Sequence, residues 1–240
     1  MKTSHAIILV AGEGKRLLPF TNTNPKCFVE VNGVTILENA LDLLSKNNIQ
    51  TVRIVIGHLK NIVRDKIGLN YKGMNIEYIT NDNFHSTNSM YSLYLGLDDV
   101  VEPTWVLEGD VFFEEKILKM PIKSNFSWFV DSSMRELDGA YIKSDKGGRA
   151  ISLQIIKNGN KLEDDLSKSI GILHLCIDGV LKLKDWLSAG VQARQTNLYY
   201  DLIVAEHLME IFVELIDVSG AKWFEIDTND DLEKAKRLFK

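Results

Sequence analysis

A glycine-rich turn near the start of the chain is the feature that most constrains its fold. The short apolar run at residues 6–10 predicts a fully buried strand, and it stops at Ala11-Gly12-Glu13-Gly14, where two glycines allow the backbone to turn tightly and approach a ligand. Lys15 and Arg16 follow directly. A glycine turn at the carboxyl end of a buried parallel strand presents backbone N–H groups, and cations after it suit a polyphosphate. The sequence therefore predicts a phosphate-binding loop on an α/β fold.

Two common phosphate-binding signatures do not fit this loop. The dinucleotide fingerprint G-x-G-x-x-G requires glycine at Leu17, and the P-loop G-x-x-x-x-G-K-[ST] requires glycine at Leu9 and a hydroxyl residue at Arg16. The pattern that remains is A-G-x-G-x-R-L, followed by the pair Pro25-Lys26. An ordinary strand-to-helix loop with a solvated basic end is the alternative interpretation.

A second informative stretch begins at Asn81, after a predicted strand at 75–79. Its first half is a polar loop, and from Asn88 apolar residues recur at helical spacing, which places Asn88 and Ser89 at the start of a helix. Free N–H groups and amide side chains at such a start can contact the edge of a base. Simple helix capping is the alternative role for these two residues.

Two further predicted strands end in acidic residues. The first, 104–110, places Asp110 at the carboxyl edge of the sheet beside the glycine loop, where ligands bind in open α/β folds. The second, 222–227, ends at Asp227, and Thr228 is predicted to cap a final helix. Helix capping is again the alternative role for Asp227.

The run from the glycine turn through Lys26 resembles the signature of nucleotidyltransferases that join a nucleoside triphosphate to a phosphorylated sugar, choline or similar small acceptor. The resemblance covers nearly the full length, and the stretch 81–95 is similar to the cytosine-recognising segment of the phosphocholine and aminoalkylphosphonate cytidylyltransferases. It implies that CMP is transferred from CTP to a small phosphorylated or phosphonate acceptor, with release of pyrophosphate. In such a reaction the acceptor oxygen attacks the α-phosphorus in line.

The same resemblance implies the residues of the site. Asp110 and Asp227 would hold Mg²⁺, which favours hard oxygen ligands. Lys26 would neutralise the α-phosphate and the acceptor, and Arg16 with the loop amides would hold the β- and γ-phosphates. The expected nucleotide-binding residues are Leu9, Ala11, Gly12, Gly14, Asn81, Asn88 and Ser89.

The order of predicted elements indicates the fold class. Strands alternate with helices up to about residue 115, which predicts an α/β fold with a Rossmann-like, mixed but mainly parallel sheet flanked by helices. The runs at 126–131, 139–143 and 150–156 predict added antiparallel strands that form the acceptor half. Because no linker rich in Pro, Gly or Ser separates them, we expect residues 1–240 to form a single nucleotidyltransferase domain, with a nucleotide-binding half at about 1–115 and an acceptor-binding half at about 116–240.

Charge and composition limit the partners. A net charge of −5 without a basic stripe argues against nucleic acid. Cys27 and Cys176 lack metal-ligand spacing, and no apolar run approaches the roughly 20 residues of a membrane span. The expectation is a cytoplasmic enzyme with CTP and a small phosphorylated or phosphonate acceptor as partners, a homodimer as one possible assembly, and neither nucleic acid nor membrane.

The acceptor is less constrained than the nucleotide. Choline would require aromatic faces around a quaternary ammonium, and the candidates are Trp128, Tyr141, Tyr199 and Tyr200. The phosphocholine enzymes carry a tryptophan near the position of Gly139, which argues against choline. An amine-bearing acceptor such as aminoethylphosphonate would instead require acids, and the candidates are Asp131, Asp138 and Asp201.

Two other functions are compatible with the loop and the metal residues. A sugar-1-phosphate nucleotidyltransferase using UTP, dTTP or GTP shares them, but such enzymes usually contact the base with a glutamine- and glycine-rich segment that is absent at 81–91. An inactive nucleotide-sensing subunit on the same fold has no chemical need for Arg16, Lys26, Asp110 and Asp227 together.

Overall fold

A mixed sheet of ten strands organises the protein, in a computed structural model that describes residues 3–157 and 163–240. The strands of the described residues are β1 (His5–Val10), β2 (Glu30–Val31), β3 (Val34–Thr35), β4 (Thr51–Ile56), β5 (Asn70–Tyr71), β6 (Met74–Thr80), β7 (Thr104–Glu108), β8 (Val111–Phe113), β9 (Phe126–Asp131), β10 (Gly139–Ser144), β11 (Ala150–Ile156), β12 (Leu166–Leu175), β13 (Val213–Asp217) and β14 (Trp223–Glu225). The helices are α1 (Ile36–Lys46), α2 (Lys60–Ile67), α3 (Ser89–Gly96), α4 (Ile177–Gln192), α5 (Tyr200–Glu206) and α6 (Asn229–Leu238).

The centre of the large sheet is parallel, and its second-half strands are mostly antiparallel. Its order is β11-β10-β12-β7-β1-β4-β6-β5, and β1 pairs in parallel with both β4 and β7. Strand β12 runs antiparallel to β7, β9 and β10, and β13 pairs in parallel with β9. The predicted fold class, a mainly parallel Rossmann-like core with added antiparallel strands, is confirmed.

Helices cover both faces of the parallel core. Side chains alternate along β1, so that Ala6, Ile8 and Val10 pack with α1 and α2 whereas Ile7 and Leu9 pack with α3, α4 and α5. A strand buried on both faces has to be apolar throughout, which is why the run at 6–10 has no polar residue. Because β1 and β7 are neighbouring parallel strands, their carboxyl ends lie side by side at one end of the sheet.

Local sequence signals set several helix starts. Thr35 and Glu38 form a capping box at the start of α1, and Thr228 forms one with Asp231 at the start of α6. Lys26–Phe28 forms a 3₁₀ turn, and the strand β2 that follows it has only two residues. Within residues 3–157 and 163–240, no helix combines the length and the apolar character needed to span a bilayer.

Candidate active site

The glycine loop folds back onto Lys26. Gly14 has φ +63, a left-handed conformation that glycine adopts without strain, and its carbonyl accepts hydrogen bonds from Leu17 N at 2.9 Å and Thr21 Oγ1 at 3.0 Å. A Cβ at residue 14 would lie 2.9 Å from Lys26 Cβ. The missing side chain thus makes room for the stem of Lys26.

Backbone pairing brings the two strand-end aspartates together. Gly109 N donates to Leu9 O at 3.0 Å, so Asp110 lies just beyond the carboxyl end of β1. Strand β14 pairs antiparallel with β8, and Ile226 N donates to Asp110 O at 2.9 Å. Two residues that are 117 positions apart in the sequence therefore share one edge of the sheet.

Lys26 connects the two aspartates. Its Nζ lies 2.8 Å from Asp110 Oδ2 and 2.6 Å from Asp227 Oδ1, and its side chain is only 15% exposed. Arg16 reaches the same Asp227 oxygen at 2.8 Å from the solvent side. The structure thus places together the four residues that the sequence singled out for chemistry.

The pKa values of these groups follow from the ion pairs. Burial alone would lower the pKa of Lys26, but the Asp110 and Asp227 carboxylates outweigh it and raise that pKa. Burial alone would raise the pKa of Asp227, but Lys26 and then Arg16 hold that pKa below its ordinary value. At neutral pH, Lys26 and Asp227 are accordingly both charged.

The residues present fit a divalent cation. Asp110, Glu225 and Asp227 each offer a carboxylate oxygen, and these oxygens lie within 4.8 Å of one another. Asp110 Oδ1 is buried and has no hydrogen-bond partner among the described residues. Hard oxygen donors of this kind suit Mg²⁺.

Sequence reasoning missed Glu225 and Glu108, and a simple signal could have found both. Side chains two residues apart on a strand point to the same side. Glu225 is two residues before Asp227, and Glu108 is two residues before Asp110, so each pair shares one side of the strand predicted at 222–227 or 104–110. Burial, and next the charge of Asp110, raises the pKa of Glu108 well above its ordinary value.

Lys168 is a third residue that sequence reasoning missed, and its ammonium is paired with Glu225. Its ammonium is buried and donates to Glu225 Oε2 at 2.8 Å and to Ser169 O at 2.9 Å. Burial alone would lower the pKa of Lys168, but Glu225 and other nearby acids raise it. The signal for Lys168 is not local, because only the pairing of β12 with β7 and β9 brings it to this edge.

Beside Lys168 is a buried polar cluster that contains Asp201 and Tyr200. Asp201 is 7% exposed, and in the described chain neither Asp201 Oδ1 nor the Tyr200 hydroxyl has a hydrogen-bond partner. Burial raises the pKa of Asp201 to about 7, and burial followed by the charge of Glu108 raises the pKa of Tyr200. Buried polar atoms are normally paired, so this cluster is a candidate contact site for a bound polar group.

Gly171 lies against the side chain of Glu108. It has φ +71 at an irregularity where the β12–β9 register shifts. A Cβ there would lie 2.6 Å from Glu108 Oε2. Glycine at this position therefore leaves the space that the Glu108 side chain occupies.

Three of the other residues suggested for acceptor binding are buried and already pack or form hydrogen bonds within the protein. Trp128 and Tyr141 are completely buried, and Trp128 Nε1 donates to Ser169 Oγ at 2.8 Å. Asp131 accepts from Trp223 Nε1 at 2.7 Å and from the backbone N–H groups of Ser133 and Met134. Tyr199, by contrast, is half exposed at the entrance to α5.

The expected base-contacting residues lie at the end of β6 and the start of α3. Asn81 is buried, and its amide organises the loop by donating to Thr87 Oγ1 and Ser92 Oγ and accepting from Asn83 N. Asn88 caps α3 through its Oδ1, which accepts from Ser89 N at 2.8 Å.

The N–H groups at this helix start were expected to be free, and that expectation is wrong. Asn88 N donates to Thr196 O, and Met90 N donates to Leu198 O. The segment 196–200 covers the helix start and takes these donors. Roles of Asn81, Asn88 and Ser89 in base recognition stay predictions, as do nucleotide contacts by Leu9, Ala11, Gly12 and Gly14.

Curated relatives resemble the chain over almost its whole length. It is 27% identical to CMP-5'-(3-aminopropyl)phosphonate synthase of Streptomyces rubellomurinus over 98% of this chain, but it spans only 38% of that protein. It is 25% identical to choline-phosphate cytidylyltransferase of Streptococcus pneumoniae over 98% of both chains.

A solved structure and a family match complete the comparison. The CTP:phosphocholine cytidylyltransferase from Streptococcus pneumoniae superposes with a TM-score of 0.79 at 20% identity, covering 98% of this chain and 99% of the other, which shows a shared fold. The sequence model of the family named Nucleotidyl transferase matches residues 5–152, more than half of the chain. This protein therefore belongs to the nucleotidyl transferase family.

Proposed function

We propose that this protein is a CTP-dependent cytidylyltransferase that uses Mg²⁺ and transfers CMP to a small, amine-bearing phosphate or phosphonate. The observation that carries the proposal is Lys26 held between Asp110 and Asp227 at the edge of the glycine loop. The choice of CTP is supported by the two relatives named above, whose names both refer to cytidylyl or CMP chemistry.

The mechanism needs no protein nucleophile. The acceptor oxygen is already anionic, so it can attack the α-phosphorus of CTP while the bond to the departing pyrophosphate breaks. Lys26 is a compact charge suited to holding the α-phosphate close to the acceptor, two anions that repel each other. Arg16 and the loop N–H groups would hold the β- and γ-phosphates. Asp110 and Asp227, with Glu225, would bind Mg²⁺, which when bound withdraws charge from the phosphates.

The buried cluster of Asp201 and Tyr200 supports an amine rather than choline as the acceptor head group. A quaternary ammonium has no N–H and is held by aromatic faces, whereas a primary ammonium donates hydrogen bonds and needs acceptors. Asp201 Oδ1 and the Tyr200 hydroxyl are buried and unpaired among the described residues. The rings of Trp128, Tyr141 and Tyr200 are all buried in the core, so these three rings do not form an open aromatic cage.

Pyrophosphate release tests the proposal directly. The protein is incubated with CTP, UTP, dTTP, GTP or ATP and with 2-aminoethylphosphonate, phosphocholine or glucose 1-phosphate. We expect turnover with CTP and a higher kcat/KM for 2-aminoethylphosphonate than for phosphocholine. Asp227→Asn protein, purified in parallel, measures contaminating activity.

One alternative has its own support and a clear signature. The loop and metal residues are shared with sugar-1-phosphate nucleotidyltransferases, which belong to the same resemblance. Equal kcat/KM values for CTP and UTP would overturn the cytidylyl assignment, because a site matched to one base edge penalises another strongly. Turnover with glucose 1-phosphate alone would overturn the amine acceptor.

A further inference from the structure

The start of α3 is joined to the segment that leads into α5. Asn88 N donates to Thr196 O at 2.9 Å, and Met90 N donates to Leu198 O at 3.3 Å. Between them, Ser89 Oγ accepts from Tyr200 N at 3.2 Å. Three consecutive residues of the predicted base-recognition segment thus hold the backbone that leads to Tyr200 and Asp201.

The Ser89 hydroxyl supplies something that α5 lacks. Tyr199 is the residue before α5, and it makes no side-chain capping hydrogen bond within the described chain. The first N–H groups of a helix have no partner within the helix, and a serine oxygen is a favoured acceptor for them. Ser89 caps α5 from a different helix, across 111 positions of sequence.

The residues at this bond are the two that we propose for contact with the acceptor. Tyr200 and Asp201 are the first two residues of α5, and both are buried with a polar atom that is unpaired among the described residues. A shift in the first turn of α5 would move both polar atoms together. The direction of their side chains therefore depends on a hydroxyl that belongs to the nucleotide-binding half.

We infer that Ser89 is a positioning residue for the acceptor: its hydroxyl fixes the first turn of α5 and so sets Tyr200 and Asp201 against the acceptor's cationic group. This inference rests on the proposed function and deepens it. It assigns Ser89 an effect on the acceptor that is separate from any contact with the base. It also links the two substrate halves through one short hydrogen-bonded segment.

Steady-state kinetics of Ser89→Ala test the inference. We expect the KM for 2-aminoethylphosphonate to rise about five- to tenfold, in line with the loss of one hydrogen bond, and to rise more than the KM for CTP. A contact of Ser89 with the base alone would raise only the KM for CTP. Ser89→Thr, which keeps the hydroxyl, should restore most of the acceptor KM. Ser86→Ala is the matched control, because Ser86 is exposed and its hydroxyl bonds to Asn83 O within its own loop.

A double-mutant cycle separates positioning from general loosening. If Ser89 acts through Asp201, Ser89→Ala should add little to the acceptor KM in an Asp201→Asn background, whereas independent effects would multiply. Calorimetric binding of 2-aminoethylphosphonate repeats the comparison without turnover. Should Ser89→Ala fold poorly, Ser89→Cys, a similar side chain with a weaker acceptor, should show a smaller shift in the same direction.

The outcomes distinguish this inference from the proposed function. Absence of turnover in the wild-type protein with every acceptor overturns the function and the inference with it. Wild-type turnover with an unchanged acceptor KM in Ser89→Ala overturns only the positioning role. A rise confined to the KM for CTP, or an equal rise in both KM values, overturns it too.

Discussion

Replacing Lys26 by methionine separates the charge of this residue from its packing. The stem of Lys26 lies against Gly14, where a Cβ would be only 2.9 Å away, so an unbranched apolar side chain keeps this contact while the ammonium is removed. We expect Lys26→Met to fold and to bind CTP within a few-fold of the wild-type affinity, because the loop N–H groups remain. Turnover should fall on the order of a hundredfold or more, the usual effect of losing one preorganised charge-stabilising group.

The same variant should bind metal better in the absence of nucleotide. Lys26 Nζ is 2.8 Å from Asp110 and 2.6 Å from Asp227, and unit charges about 4 Å apart at a protein surface attract by up to about 4 kcal/mol. A metal that uses these carboxylates has to displace the ammonium. After allowance for solvent screening at these partly exposed groups, we expect Mg²⁺ to bind roughly tenfold more tightly to Lys26→Met, or about 1.4 kcal/mol.

Three measurements on Lys26→Met and on one control variant test both predictions. Pyrophosphate release gives turnover, and calorimetry gives the affinities for CTP and for Mg²⁺ alone. Lys15→Met is the matched control, since Lys15 is 73% exposed and pairs with Glu13 rather than with either aspartate, and it should change each quantity less than about twofold. Unchanged turnover in Lys26→Met would refute the catalytic role, and unchanged Mg²⁺ affinity would refute the competition for the carboxylates.

Three further predictions concern the carboxylates. Asp110→Asn and Asp227→Asn should stay folded by circular dichroism yet lose turnover by orders of magnitude, because metal neutralisation of the phosphates supplies several kcal/mol; near-normal pyrophosphate release from both at saturating Mg²⁺ would remove them from the site. Since burial raises the pKa of Asp201 to about 7, the acceptor KM should fall as pH rises from 6 to 8, and Asp201→Asn should abolish the part of this slope that the acceptor's own titration does not explain. Because the pKa of Asp201 in the folded state exceeds the unfolded value of about 3.9, Asp201 stabilises the fold at low pH, and this stabilisation is lost as pH rises through 7. Asp201→Asn should therefore have a higher Tm than the wild-type protein at pH 8. A lower Tm of the variant at that pH would contradict this reasoning.

The parts of the site that could be predicted are those with a local signal. The glycine turn, the strand-end position of Asp110 and the capping residue after Asp227 each follow from a few adjacent residues. Glu108 and Glu225 were within reach of the same reasoning, because each is two residues before a predicted metal ligand. Their burial beside like charges would not have been expected from strand preference alone, since buried acids are rare unless paired.

The parts that could not be predicted depend on pairing between distant segments. Lys168 reaches Glu225 because β12 and β14 meet at one edge, and Ser89 reaches Tyr200 because α3 packs on the segment before α5. Neither contact can be inferred from the residues that neighbour it in the sequence.

Strand β12 has a consequence for attempts to exchange acceptor specificity between relatives. It pairs with the outer edge of β7 through Ile172–Leu175, and it also pairs with β9 and, at its other end, with β10. A chimera joined between β7 and β12 that brings a mismatched β12 would leave the backbone of β7 as an open edge, which invites pairing with other chains. Grafts that retain residues 166–175 from the host and exchange α5 together with the start of α3 should yield more folded protein than grafts that divide the chain at residue 115.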